Sequence, residues 1–356
     1  MKIILATSMS GLGGTENATY RLGRLLCNKG HEVLLASSDG PLVGDCREAG
    51  MKWQPIDFYN GGGLGYVKGM QAFFKLVRRE KPDIVHCQMA RIVPACAVAA
   101  KLASPRTKVF WHARGLVAET YPKVVKIFRR LGVYIIANCK HERDKLIRHG
   151  FPENRITYTY NALHKVDYVP EKTEKDYVTL GTLSRLDYLR AVDQTLDIFK
   201  ILTDRNLPVR LNIAGVGEDM DKLKAQAERL GVADKVTFLG GVRNLTEYFK
   251  EVDILVNNPR CPGDSCAGVG NNVLEAGLYE TPVVTYNMGG ITEMVLQGET
   301  GYCFKLGDEQ GFADAVEKLV YDKPLRQQLG KALNKHVNAL CSDEEIYRTT
   351  MEAYRI

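Results

Sequence analysis

The sequence predicts a tandem of two α/β domains, each built on a doubly wound, mostly parallel sheet. Three observations carry this. Short β-branched runs alternate with helix-length amphipathic segments, the alternation starts again near Tyr177 after a polar stretch, and several apolar runs end in glycine-rich turns that open helices. A chain of 356 residues is also longer than one hydrophobic core usually serves.

In the first series, residues 3–6, 32–36, 84–87, 108–111 and 134–137 read as strands, with helical patterns between them. Residues 17–29 set Tyr20, Leu22, Leu25 and Leu26 at helical spacing, and Gly30 stands where a C-terminal cap belongs. The second series places strands at 178–182, 209–214, 235–239, 253–256 and 282–285. Residues 161–176 lack either periodicity, carry Pro170 and mix charges, so the interdomain linker is expected there. The expected domains are therefore 1–165 and 166–340. A capped terminal helix at 343–354, in a segment 341–356, is expected to return to the first domain.

Composition is that of an ordinary globular protein, 45% apolar and 25% charged, without a low-complexity tract or a solenoid repeat. Glycines and an acid follow the first apolar run where a secretory sequence would continue apolar, and no run is long enough to span a bilayer. Nine scattered cysteines without a CxxC pair read as reduced core thiols, and a cytoplasmic location is expected. The net charge of +6 is unevenly spread: residues 1–168 hold 26 basic and 13 acidic side chains, and residues 169–356 hold 22 and 29. The basic half suits anionic lipid headgroups or a phosphorylated acceptor. It shows no nucleic-acid module and no aromatic-basic alternation for base stacking, so no nucleic-acid partner is expected.

In tandem doubly wound sheets, ligands bind at the carboxyl ends of the strands, where turns lead into helix N-termini. The first such turn, SMSGLGGTEN, holds Gly11, Gly13 and Gly14. Taken alone it serves a ligand or a tight turn equally well, and it is not the spaced GxGxxG of a dehydrogenase. The second, GTLSRLDYLRAVDQTL, sets Arg185 and Arg190 five residues apart. Two guanidinium groups there can clamp a diphosphate through charge-assisted bonds, or can pair with Asp187 and Asp193 at the surface. The third opens a helix near Asn271 after the turn 268–270, places Glu275 one turn in, and is followed by Gly289 and Gly290. A helix N-terminus favours an anion, and Glu275 could accept from ribose hydroxyls or merely oppose the helix dipole.

From GGTE at residues 13–16 to the terminal helix, the chain resembles the retaining glycosyltransferases of family 4, whose GT-B fold sets two Rossmann-like domains across a cleft. Arg185-Leu186 and Arg190-Ala191 resemble the family's RL…KG diphosphate motif. The run from Gly270 to Gly277, then TPVV and the paired glycines, resembles its EAxxxGxPVV…GG signature. His112, at a strand end, matches the family's cleft histidine near the donor sugar. The resemblance implies that Arg185 and Arg190 bind the diphosphate and Glu275 the ribose. It implies that Gly13 and Gly14 form the facing edge and that Gly289 and Gly290 line the sugar pocket, with Gly215, Val242, Gly270 and Asn271 as further donor-binding positions. Three departures stand out. The family's first acid, eight residues before Glu275, is Ala267; the motif lysine is Arg190; and His164 stands where an Asp is common.

The implied reaction moves a sugar from a nucleoside diphosphate to an acceptor hydroxyl with retained configuration. Arg185, Arg190 and the helix N-terminus at Asn271 would stabilise the leaving group, and no metal or other cofactor is expected. A phosphate oxygen takes the acceptor proton, so no side-chain base is assigned, and His112 orients the donor sugar. Val242-Arg243-Asn244 lacks an acid at the base-reading turn, which favours uracil over guanine. The acceptor expected is a lipid-linked or cell-envelope glycan, as in lipopolysaccharide or polysaccharide synthesis. In residues 120–132, Val124, Ile127, Phe128 and Leu131 share a face ringed by Lys123, Lys126, Arg129 and Arg130. That pattern fits peripheral attachment to an anionic membrane or a helix packed on the core. Two other readings stay open: a sugar-nucleotide 2-epimerase, which needs convergent acids, and a non-enzymatic two-domain ligand-binding protein.

Overall fold

The structure is a computed structural model, described for residues 1–9, 11, 13–163, 166, 168–260 and 268–356. The chain divides into two compact units, residues 1–164 with 341–356, and residues 165–340. Ala267 and His164, two of the departures noted above, lie outside the described residues.

The first unit runs β1 (Lys2–Ala6), α1 (Gly14–Asn28), β2 (Glu32–Ser37), α2 (Val43–Glu48), β3 (Lys52–Pro55), α3 (Gly62–Glu80), β4 (Ile84–Cys87), α4 (Val93–Ala103), β5 (Lys108–Ala113), α5 (Tyr121–Leu131), β6 (Tyr134–Ala137), α6 (Lys140–Arg148) and β7 (Ile156–Tyr158). The strands form a parallel sheet in the order β3-β2-β1-β4-β5-β6-β7. Because helices cover both faces, strand residues are apolar almost without alternation: Ile3, Ile4, Leu5 and Ala6 are fully buried. One face meets α3, α4 and α5 through Phe73, Cys96 and Phe128. The other meets α1 and the terminal helix through Leu22, Leu26 and Tyr354.

The second unit runs β8 (Val178–Leu183), α7 (Val192–Asp204), β9 (Val209–Ala214), α8 (Met220–Arg229), β10 (Val236–Gly240), α9 (Leu245–Glu251), β11 (Ile254–Asn257), α10 (Asn271–Leu278), β12 (Val283–Tyr286), β13 (Gly301–Phe304), α11 (Glu309–Tyr321) and α12 (Lys323–Cys341). Its parallel sheet is ordered β10-β9-β8-β11-β12-β13. In each sheet the strand order reverses beside the first strand, at β1/β4 and at β8/β11, and this reversal opens a crevice at the carboxyl edge.

Local chemistry explains the element ends. Gly30, at φ 80°, lets the chain leave α1 in the left-handed conformation. Asp308 accepts from Gly311 N to start α11, and Ser342 accepts from Glu345 N to start α13 (Asp343–Arg355). The polar stretch after residue 168 is anchored on the second unit: Lys172 donates to the Phe249 and Val252 carbonyls and to Thr281 Oγ1 (2.6 to 2.7 Å), satisfying carbonyls at the end of α9. Burial pushes the Lys172 ammonium down to about 8.

The apolar face of α5 packs on the core. Tyr121, Val125 and Phe128 are buried, Val124, Ile127 and Leu131 lean on the same cluster, and Lys123, Lys126, Arg129 and Arg130 are exposed. That apolar stripe is therefore not available to lipid, whereas its basic rim is. Among the described residues no helix is long and apolar enough to cross a membrane. Cys27, Cys46, Cys87, Cys96, Cys139, Cys303 and Cys341 carry free thiols.

Helix α13 completes the first unit from the far end of the chain. Its last turn is fixed by Lys108 Nζ, which donates to the Ile356 carbonyl (2.7 Å), and by a 2.8 Å bond between Tyr354 Oη and His86 Nδ1 on β4. Replacing Tyr354 with Phe keeps the ring packed against Phe110 but leaves a buried imidazole nitrogen without a partner. The expected cost is about 1 to 3 kcal/mol, read as a lower denaturation midpoint of the first unit.

Candidate functional site

The carboxyl edge of the second sheet is built by two turns flanking its reversal point. The turn after β8 carries Arg185 and Arg190. It is held by backbone bonds from Ser184 N to Ala214 O and from Leu186 N to Val216 O, each 3.0 Å. A Cβ on Gly215, whose φ is 146°, would overlap the Ser184 carbonyl oxygen, and one on Gly217 would overlap that of Leu186. Only glycine lets the two backbones approach this closely.

Arg185 pairs with Asp187 at 3.2 Å and is largely exposed. Asp187 also caps the short turn at Tyr188–Arg190, accepting from Arg190 N. Arg190 makes no side-chain hydrogen bond among the described residues. Desolvation first, and then the adjacent Arg185 charge, hold its guanidinium below the ordinary value, with Asp187 opposing. Two guanidinium charges thus stand on one turn with a single carboxylate, which pairs with Arg185 alone, a local excess of positive charge at the start of α7.

Ala191, where the resembling motif has glycine, adopts the left-handed conformation (φ 50°, ψ 40°) and is fully buried. A non-glycine residue there stores about 1 kcal/mol of strain. Arg260, which the sequence reading did not single out, ties this turn to the segment after β11. Its backbone N donates to Leu189 O (2.8 Å), its Nη1 to Tyr188 O and Asp193 Oδ1 (both 2.9 Å), and its guanidinium lies 4.5 Å from the Tyr188 ring centroid.

Beyond β11, Gly270 precedes α10 in extended geometry and Asn271 is its first residue. Asn272 Nδ2 bonds Asn257 Oδ1 (3.0 Å), fixing the helix start on the strand end. Glu275 lies one turn into α10 and is 8% exposed, so only its edge reaches solvent. After β12, Gly289, at φ 58°, opens a tight 3-10 turn in which Gly290 is buried. Val242, half-buried, follows β10 next to Asn244, which caps α9. Arg185, Arg190, Gly215, Val242, Gly270, Asn271, Glu275, Gly289 and Gly290 therefore all stand on turns or helix starts at the carboxyl edge of one sheet.

In the first unit, Gly13 caps α1 and Gly14 begins it; a Cβ on Gly13 would stand 2.7 Å from Glu16 Oε2. His112 is at the end of β5, 3% exposed, with its ring stacked on that of His86 (5.2 Å, 13°). Burial pushes His86 down to about 3 and His112 well below its ordinary value, with the Arg114 charge adding to both. Arg114 donates to Gln88 Oε1 (2.9 Å) and to Asn161 Oδ1. The segment after it is braced by Tyr121 Oη, which accepts from Leu116 N (3.1 Å) and donates to the Glu142 carboxylate. His86, Gln88, Arg114 and Asn138 were not found from sequence. The available signal was the two-residue spacing of His112 and Arg114, which sets both on one face. Among the described residues no three His, Cys, Asp or Glu side chains are grouped to hold a metal ion.

Two family descriptions match the chain: "Glycosyl transferases group 1" over residues 167–336 and "Glycosyl transferase 4-like domain" over residues 13–162. A lipopolysaccharide core biosynthesis glycosyltransferase of Rhizobium meliloti is 34% identical over 260 residues, covering 72% of this chain and 71% of that protein. The N-acetyl-alpha-D-glucosaminyl L-malate synthase of Bacillus anthracis is 24% identical over 364 residues, covering 95% and 91%. Among solved structures, Anabaena HepE in complex with UDP and glucose superposes with a TM-score of 0.84 at 16% identity, covering 100% of this chain and 99% of that one. The two parallel-sheet domains are those of the GT-B fold. The chain belongs to the group 1 glycosyltransferases, and its activity is glycosyl transfer. This decides among the readings left open by the sequence.

The two neutral histidines set a pH dependence. In the unfolded chain they bind protons near pH 6.5, and in the fold they stay neutral, so their contribution is complete above that value. As pH falls below 6.5 the unfolded chain gains protons, and stability is expected to drop by about 1.4 kcal/mol per pH unit for each histidine. His86→Gln should remove one histidine's share of that slope in denaturation at pH 6.5 to 5. At the other edge, Ala191→Gly should raise the melting temperature of the second unit by about 2 to 4 °C as strain is relieved.

Proposed function

We propose that the chain transfers a sugar, with retained anomeric configuration, from a nucleoside diphosphate donor to a hydroxyl of a lipid-linked or cell-envelope glycan. The observation that carries this reading is the pair of guanidinium groups on one turn at the reversal point of the second sheet, Arg185 paired with Asp187 and Arg190 without a side-chain hydrogen bond among the described residues. Negative charge grows on the diphosphate as the bond from the sugar's anomeric carbon breaks, and Arg185 and Arg190 stand on a turn whose backbone is already held beside the place where it develops. Because the exposed pair with Asp187 is worth little in water, Arg185 can turn to a phosphate at small cost. The new bond forms from the acceptor oxygen to the anomeric carbon on the same face, and the acceptor proton passes to a phosphate oxygen.

In this reading Asn271 and the start of α10 face the phosphates, Glu275 accepts from the ribose hydroxyls, and Gly215 and Val242 border the base. Gly289 and Gly290 give the sugar a close backbone wall, Gly13 and Gly14 form the facing edge, and His112 orients the donor sugar as a neutral imidazole. The donor favoured is a UDP-sugar, which agrees with the UDP bound by HepE. The envelope acceptor agrees with the lipopolysaccharide role of the Rhizobium relative. Since arginines supply the charge, no divalent ion or other cofactor is required. The exposed basic rim of α5 supports a cytoplasmic protein held peripherally on an anionic membrane face.

Arg185→Ala and Arg190→Ala should each lower the rate of transfer, or of slow donor hydrolysis, roughly a hundredfold or more. That corresponds to about 2 to 4 kcal/mol of lost transition-state stabilisation. The measurement is release of UDP from a panel of UDP- and GDP-sugars, with and without a chelator. Unchanged turnover in both variants would remove the proposed role, and loss of activity with chelator would refute the metal-free mechanism.

A further inference from the structure

His112 near the end of β5 and the residues that directly follow β4, β5 and β6 form a polar cluster of which the proposed transfer uses only His112. Pairing of Cys87 with Trp111 and of Ala113 with Ala137 brings Gln88, His112, Arg114 and Asn138 together at the carboxyl edge, on the face that carries His86 and Phe110. The Arg114–Gln88 bond confirms the juxtaposition. Gln88, His112 and Asn138 are 2%, 3% and 7% exposed. Yet Gln88 Nε2, both nitrogens of His112, Arg114 Nε and Asn138 Oδ1 have no hydrogen-bond partner among the described residues, nor has His86 Nε2 behind them. Buried polar atoms are nearly always bonded, so such a concentration at one strand edge marks a place where a polar ligand completes the bonding.

The charge of that ligand follows from Arg114. Its five N–H donors meet only two acceptors, the neutral side-chain oxygens of Gln88 and Asn161, and no carboxylate bonds it among the described residues. Glu16, in the first turn of α1, favours the cation from beyond ion-pair distance. The same two amide oxygens pin the fork, so it cannot swing out to water as a free arginine does. A half-buried, immobile cation without a bonded counter-charge is costly alone and pre-organised for an anion.

We infer that the carboxyl edge of β4, β5 and β6 is a receptor for an anionic group, a carboxylate or a phosphate, carried by the sugar substrate, with Arg114 as its cation and Gln88, His112 and Asn138 as its polar wall. The choice of a sugar substrate rests on the proposed transferase reading; the anion site does not. The test is side-chain NMR of the full chain labelled at arginine Nε, with the Arg114 resonance identified by its absence from Arg114→Lys. Inorganic phosphate, D-glucuronate and D-glucose are titrated separately into the tens of millimolar. The Arg114 signal should shift and saturate with phosphate or with glucuronate, whichever anion is accepted, and stay put with glucose. Gln88→Leu should weaken the effective anion about tenfold or more. Should that variant fold poorly, the titrations of the unaltered chain decide alone. No movement with either anion, or equal movement with glucose, overturns the inference. UDP titrated into the same sample reads Arg185 and Arg190 separately, so failure of the nucleotide reading shows there and not at Arg114.

Discussion

The close approach of two backbones, residues 184–186 against Gly215 and Gly217, governs the charged edge of the second unit. A turn of eight residues bearing two like charges would spread in water. Here its start is bonded to the segment that follows β9, its middle is capped by Asp187, and its end is clasped by Arg260. Charge repulsion between Arg185 and Arg190 is thus contained by contacts that involve neither guanidinium. The sharp bend at Ala191 then delivers the chain directly into α7. Catalysis by charge stabilisation gains from groups that need little rearrangement when charge develops, and here the backbone that carries both guanidinium groups is held by bonds within the protein.

The first unit solves the opposite problem, keeping basic side chains uncharged. His86 and His112 lie under the sheet edge where solvation of a cation is poor, and the neighbouring guanidinium adds to the penalty. Their neutrality lets one imidazole stack on the other at an angle of 13°, an arrangement two imidazolium ions would not tolerate. The stack in turn rests on Tyr354, so the geometry at the end of β5 is fixed from α13.

Much of the fold was legible because parallel strands buried on both faces read as unbroken apolar runs; β4, β6 and β9 fall where those runs end. The strands that escaped notice are sheet edges of three or four residues: β3 (KWQP) is polar and ends in proline, and β7 (ITY) and β13 (GYCF) are too short to show a period. Glycine-rich turns announced the ligand-facing edge of the second unit, since close backbone approach leaves a residue type behind. The cluster around Arg114 left no such mark: it depends on register between strands dozens of residues apart, which no local pattern encodes. The amphipathic pattern of α5 was visible too, but the pattern alone could not say whether its apolar face meets lipid or protein.

The return of α13 to the first sheet orders events during synthesis. His86 emerges from the ribosome early, while Tyr354, the one hydrogen-bond partner of its imidazole among the described residues, follows the whole second unit. At ordinary translation speeds that interval is on the order of ten to fifty seconds. Throughout it the face of β4 and β5 destined for Tyr354 is without its covering ring, with Phe110 and a protonatable histidine open to solvent or to a chaperone. The nascent first unit therefore waits half-roofed, and ribosome stalling within residues 165–340 would prolong its most aggregation-prone stage.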